Sequence, residues 1–147
     1  MPLDRTEALR AEYRARINRV LDFIDRHIGR DLCLEELART AHFSRFHFHR
    51  IFSALTGETL NAYIQRRRAE LAAAALLLHP KATITEIALD YGYSGSDVFA
   101  RAFRERFGMS ASEWRAGGVE AWRKKRQTNG KNRQADGKIR QEIFDAL

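Results

Sequence analysis

Apolar residues recur at three- and four-residue spacing through nearly the whole chain, and the only prolines are Pro2 and Pro80. Ile17, Val20, Leu21, Ile24 and Ile28 form one stripe within residues 14–28. The run "LEELARTA" (34–41) predicts a short helix with Leu34, Leu37, Ala38 and Ala41 inward. Ser44 reads as the N-cap of a third helix that Gly57 ends. A long helix is predicted from Thr59 to about His79, where Pro80 follows, with Leu60, Tyr63, Ile64, Leu71, Ala75 and Leu78 on its buried side. Ile84 to Tyr91 and residues 96–107 predict two more, the second stopped by Gly108, and a last helix begins near Ser112. The fold class is all-α.

These elements contain an internal repeat. "LEELARTAHFS" (34–44) matches "ITEIALDYGYS" (84–94) at an offset of 50, pairing Leu34 with Ile84, Leu37 with Ile87, Ala38 with Ala88 and Phe43 with Tyr93. One residue then enters, and at an offset of 51 Phe48 matches Phe99, Arg50 matches Arg101, Phe52 matches Phe103 and Gly57 matches Gly108. Tyr63 lies opposite Trp114 in the same register. The repeated unit is a short helix, a tight turn and a longer helix ended by glycine. Such a pair is the helix-turn-helix unit, whose second helix enters the major groove of DNA. A single αα-hairpin is a weak signal for that role. Two in register, each with arginine on its second helix, are a much stronger one.

Charge sharpens this picture only locally. The chain of 147 residues carries a formal charge of +7. Residues 1–114 hold 17 Lys and Arg against 15 Asp and Glu, whereas residues 115–147 hold 9 against 4. Most of the excess therefore lies at the C-terminal end, and the body needs a residue-level argument. Cys33 is the one cysteine, so no intrachain disulfide can form and a reduced, cytosolic setting fits. The N-terminal segment "MPLDRTEALRAEYRAR" has no apolar core of a secretory signal. The longest apolar run, "LAAAALLL" (71–78), falls well below the ~18–20 residues of a membrane span, so no membrane partner is expected.

Candidate chemistry concentrates in "AHFSRFHFHRIFSALTG" (41–57), where three of the five histidines fall within residues 42–49. His47 and His49 stand roughly 200° apart on a helix and cannot chelate one ion, and no carboxylate or cysteine falls in the segment. Neither a metal nor a cofactor is expected. No nucleophile stands beside a base at useful spacing, and Glu35 with Glu36 read as a solvated face, so the chain is not expected to be an enzyme.

A reading surface fits better. Phe48, Ile51, Phe52 and Leu55 share the packing face of helix 44–56, while Phe46, His49, Arg50 and Ser53 share another. His47 reads as a partly exposed polar residue. Helix 96–107 repeats the design, with Phe99 and Phe103 inward and Ser96, Asp97, Ala100, Arg101 and Arg104 outward. Phe46, His49, Arg50, Ser96, Asp97, Ala100 and Arg101 are the candidate base-reading residues, Ala100 by allowing close approach or touching a thymine methyl. Ser44, Arg45 and Arg104 are the candidate phosphate contacts. The run "QRRRAE" (65–70) reads as a solvated face with intrahelical pairs such as Arg66–Glu70. The helix 59–79 spans roughly 30 Å at 1.5 Å per residue, close to the ~34 Å between successive major-groove faces. Both reading helices are thus expected in adjacent groove segments of an asymmetric site.

With these residues in view, "ALDYGYSGSDVFARAFRERFGMSASEWR" (88–115), preceded by "LEELARTAHFSRFHFHRIFSALTGETLNAYIQRRR" (34–68), resembles the DNA-binding domain of the AraC/XylS transcriptional regulators. The resemblance covers roughly residues 14–116. It implies a seven-helix domain of two homeodomain-like helix-turn-helix subdomains, about 34–57 and 84–108, joined by the long helix 59–79. It implies sequence-specific binding to double-stranded promoter DNA in the bacterial cytoplasm, at the nucleoid, commonly with activation through RNA polymerase. The family's base-reading positions fall on Phe46, His49 and Arg50, and on Ser96, Asp97, Ala100 and Arg101. Ala111 stands where the family usually has proline, and Ala69 where its connecting helix usually has leucine.

Residues 1–13 read as an N-terminal extension, and residues 117–147 as a basic polar tail or linker in which "WRKKR" offers non-specific phosphate contacts. The resemblance implies, for most relatives, a second domain that binds an effector or mediates dimerisation. This chain reads either as one of the minority that are a bare DNA-binding domain or as the N-terminal piece of a regulator whose effector domain would follow. The competing readings are a helical protein-interaction module and a DNA binder without operator specificity.

Overall fold

The computed structural model describes residues 4–129, which form two compact units dividing between Gln65 and Arg66. Every regular element among the described residues is helical. Helix α1 is Arg5–Arg26, α2 Leu34–Thr40, α3 Arg45–Thr56, α4 Leu60–Leu78, α5 Ile84–Asp90, α6 Ser96–Phe107 and α7 Ala111–Glu113. A π-helical turn, Trp114–Gly118, leads from α7 into α8, Val119–Asn129.

In the first unit, α1 starts earlier than its apolar stripe does. Asp4 caps it, Oδ1 accepting the Glu7 amide at 2.7 Å, so residues 5–13 of the expected extension are helical. Ile17, Val20, Ile24 and Ile28 are buried with Leu37, Phe48 and Phe52, as the stripe predicts. Tyr63 closes this core edge-on against Phe52, with centroids 5.5 Å apart.

The turn after α2 shows why the repeat is tight. His42 lies at φ 58, and the amides of His42 and Phe43 donate back to the carbonyls of Arg39 and Ala38 at 3.0 and 2.9 Å. This is a Schellman closure, which needs one left-handed residue. The second unit builds the same closure with Gly92 at φ 92, and the Tyr93 amide donates to the Ala88 carbonyl at 3.0 Å. Glycine meets that requirement without strain, whereas histidine does not.

The second unit packs Phe99, Phe103, Phe107, Trp114 and Trp122 against the alanines of α4. Ala72, Ala73 and Ala75 leave room for the Trp114 indole, whose Nε1 donates to the Ala73 carbonyl at 3.0 Å. Arg115 completes the contact, donating from Nε to the Leu76 carbonyl at 2.9 Å and from Nη2 to the His79 carbonyl at 3.1 Å. A cation is favoured at these C-terminal carbonyls. Ser110 and Glu113 form a capping box for α7, so Ala111 in place of proline does not leave this helix start uncapped.

Four expectations need correction. The "QRRRAE" face is not solvated: Arg66, Arg67 and Glu70 are buried, and Arg66 donates to Glu70 as a buried ion pair. Ala69, Ala72, Ala73, Ala74 and Ala75 are buried as well, so α4 is covered on most sides from Arg66 to Leu76, whereas Leu78, expected on its buried side, is exposed. Leu55 is also exposed rather than packed. Finally, residues 119–129 of the expected tail form α8, because Val119 and Trp122, three apart, bury one face of it in the second core. The remainder of that tail, 130–147, lies outside the described residues. No helix among the described residues is long and apolar enough to cross a membrane.

Two predictions follow from the turn and the ion pair. Gly92→Ala should destabilise by about 1–2 kcal/mol, while His42→Gly should stabilise, both read from urea unfolding. Glu70→Ala should cost about 3–5 kcal/mol because it removes one charge of a buried ion pair, and Arg66→Met with Glu70→Leu should regain most of that. Burial pushes the Glu70 carboxyl above its ordinary range, outweighing the attraction of Arg66, Arg67 and Arg106. A raised folded value means proton uptake on folding, so this contribution is full below the unfolded value and is lost as pH rises through the folded one. Wild type should therefore lose stability relative to Glu70→Gln as pH rises above the ordinary carboxylate range.

Candidate nucleic-acid interface

Helix α3 is started by Ser44, whose Oγ accepts the His47 amide at 3.2 Å. Burial of Phe48 and Phe52 then fixes the helix's rotation, leaving Phe46, His49 and Arg50 exposed on the other side. Phe46 is 75% exposed, more than any other large hydrophobic residue among those described. The Arg45 guanidinium lies over its ring, 5.2 Å from the centroid, and donates to Glu35 at 3.3 Å. Both members of that ion pair are more than half exposed, so it is worth less than about 1 kcal/mol and yields readily to a competing anion.

Arg45, Phe46, His49 and Arg50 line an open groove with Leu34, Ile51 and Ala54. The last three were legible only as packing or filler positions, since apolar spacing cannot show that one edge of a residue faces a groove. His47 also borders this groove. It is exposed, but meets Tyr13 edge-on at 5.8 Å and Phe43 at 5.3 Å between centroids, a supporting aromatic contact rather than a free polar group.

In the second unit Gly95, in extended conformation, precedes α6 without a side-chain cap. Phe99, Phe103 and Phe107 are buried, which turns Asp97, Ala100, Arg101 and Arg104 to the surface. Ser96 is half-buried. Asp97 sits in the first turn, where a carboxylate favours the helix dipole, so it has a structural reason to be there as well. Val98, 49% exposed, stands one turn before Arg101 and was not singled out by spacing. Val98 aligns with His47 of the first unit, which the repeat register would have shown.

Each predicted position thus lies on or at the start of α3 or α6, and the structure groups them by unit. Among the described residues no group of three or more His, Cys, Asp or Glu is placed to hold a metal ion. Exposed Cys33 begins α2 with no base beside it in sequence.

Two helix-turn-helix units with arginines uncovered on both second helices, joined on α3 by exposed Phe46, place the chain in the class of helix-turn-helix DNA-binding proteins. Residues 37–117 match the helix-turn-helix domain family. Regulatory protein SoxS of Salmonella typhimurium is 34% identical over 99 residues, 67% of this chain and 92% of SoxS. Transcriptional regulator Rob of the same organism is 34% identical over 109 residues, 70% of this chain but 37% of Rob. This chain therefore spans about a third of Rob's length. Among solved structures, the DNA-binding domain of AdpA, a global transcriptional factor, in complex with a target DNA, shares 27% identity at a TM-score of 0.60. That match covers 69% of this chain and 91% of the AdpA domain. The chain belongs to the AraC/XylS family of transcriptional regulators.

Because the outward residues are not packed, Phe46→Ala, Arg50→Ala and Arg101→Ala should each leave unfolding free energy within about 0.5 kcal/mol of wild type. Ser44→Ala should cost about 1 kcal/mol through the lost cap. Chemical denaturation of the four variants checks both.

Proposed function

We propose that this chain is a sequence-specific DNA-binding regulator of transcription that inserts α3 and α6 into adjacent major-groove segments of an asymmetric promoter site. The observation that carries the reading is the duplicated unit with its outward face left uncovered twice, above all exposed Phe46 beside Arg50 and, one repeat on, Arg101. Arg50 and Arg101 supply bidentate donors for guanine O6 and N7, the commonest specific contact in the major groove. Phe46 and Ala100 offer apolar contact to a thymine methyl, Asp97 accepts from a cytosine amino group, and His49 and Ser96 complete the base edges. Ser44, Arg45 and Arg104 hold phosphates and set the register.

The AdpA domain, similar in fold and bound to DNA, supports this assignment. Because the repeats differ in their outward residues, the two halves of the site should differ in sequence, with no palindrome required. Regulation is proposed to be activation through RNA polymerase in the cytoplasm, at the nucleoid, following the family resemblance.

Selection of genomic fragments by the purified chain tests the reading. A two-block motif with blocks about one helical turn apart should emerge and disappear in the Arg50→Ala, Arg101→Ala double variant. Arg50→Ala alone should cost about 1–3 kcal/mol and relax preference at one base pair. Enrichment of no motif, with binding retained at low salt, would instead favour a non-specific binder, and salt-insensitive binding to no DNA at all a protein-interaction module.

A further inference from the structure

The reading surface of the first unit carries a carboxylate that its proposed role does not use. Glu35 and Glu36 open α2, where negative charge favours the helix dipole. Glu36 is already engaged, accepting from both terminal nitrogens of Arg30 at 3.1 and 2.7 Å. Glu35 instead reaches the start of α3, where its Oε1 accepts from Arg45 Nη1 at 3.3 Å. Its sequence neighbour Leu34 lines the groove together with Arg45, Phe46, His49 and Arg50, so the pair stands at the rim of that groove. The same guanidinium lies over the Phe46 ring, 5.2 Å from its centroid.

The second unit does not repeat this pair. In the repeat register Thr85 stands where Glu35 does, and α6 opens with Ser96 where α3 opens with Arg45. Packing does not require the pair either, since both side chains are more than half exposed. An exposed ion pair stabilises a fold little, so its consequence lies in what it does to Arg45. A phosphate that approaches Arg45 competes with this carboxylate for the guanidinium and is repelled by it at close range.

We propose that Glu35 is an intramolecular competitor of DNA phosphate for Arg45, so that the first unit exchanges one ion pair for another on binding and does not simply gain one. This rests on the proposed DNA-binding function and adds to it a residue that sets affinity without touching a base. The competition lowers affinity for specific and non-specific DNA alike, because phosphate contacts carry no sequence information.

The test is a double-mutant cycle on the full chain: wild type, Glu35→Gln, Arg45→Ala and the two combined, each titrated with the selected site and with an unrelated duplex of equal length. Glu35→Gln should tighten binding by about two- to fivefold on both duplexes, the range that an exposed ion pair allows. In the Arg45→Ala background the same substitution should gain clearly less. The gain should also shrink as salt rises, because the pair it removes is exposed and screened. Circular dichroism should match wild type for every variant, since neither side chain is buried. Equal gains with and without Arg45 mean that Glu35 repels DNA by itself, and overturn the competition. An absent gain overturns it as well, and a loss means that Glu35 orients Arg45 toward the backbone, which is the opposite role. A gain on the selected site only overturns its sequence independence. Each of these results leaves the DNA-binding function standing, whereas a wild type without salt-sensitive DNA binding overturns both the competition and the function on which it rests.

Discussion

Everything at the candidate interface depends on where two phenylalanine pairs are buried. Phe48 and Phe52 in the first unit, and Phe99 and Phe103 in the second, stand four residues apart and have no solvent exposure. A buried phenyl contributes about 1.5–3 kcal/mol over an exposed one, so each pair strongly favours one rotation of its helix. Once the rotation is set, the 3.6-residue period leaves no choice about which side chains face outward. The rings 5.6 Å apart in both pairs, and Tyr63 or Trp114 behind them, show the same arrangement built twice from different residues.

The two copies diverge where their constraints differ. The first relies on side chains for its turn and cap, His42 in a left-handed conformation and Ser44 as N-cap, while the second uses Gly92 and Gly95 at those places. The second invests instead in a larger aromatic core, in which Trp114 reaches the Ala73 carbonyl and Trp122 joins Phe107. That enlargement is what recruits α8. The outward faces differ as well: an exposed phenylalanine and histidine on α3, against a carboxylate and an alanine on α6. Identical scaffolds with unlike surfaces are what an asymmetric recognition site requires.

Much of this was legible in the sequence because strong signals agreed. Periodicity, terminal glycines and the repeat register all pointed to the same two units, and the outward residues followed from the inward ones. Several failures share one physical cause, which is that charge and alanine say little about burial. Arg66, Arg67 and Glu70 read as solvent-facing because isolated charges are costly to bury, yet the Arg66–Glu70 pair lets them enter the core. The alanines of α4 carry no periodic contrast, so the side that packs Trp114 could not be distinguished from the rest. Val119 and Trp122 are only two apolar residues at the start of a basic run, too few for a stripe, and their partners Phe107 and Trp114 are supplied by tertiary structure alone. His47 shows the converse, a polar residue one of whose two aromatic contacts comes from Tyr13, far away in sequence.

The central claim is that each unit reads its own block of base pairs through its own arginine. The most direct measurement is a protein–DNA mutant cycle: affinities of wild type, Arg50→Ala and Arg101→Ala on the selected site and on sites with either block scrambled. The account predicts that Arg50→Ala loses its cost when the block read by α3 is scrambled, and keeps it when the other is, with Arg101→Ala behaving in the opposite sense. Equal costs on all three sites would mean that these arginines contact the backbone without reading bases, and would contradict the account.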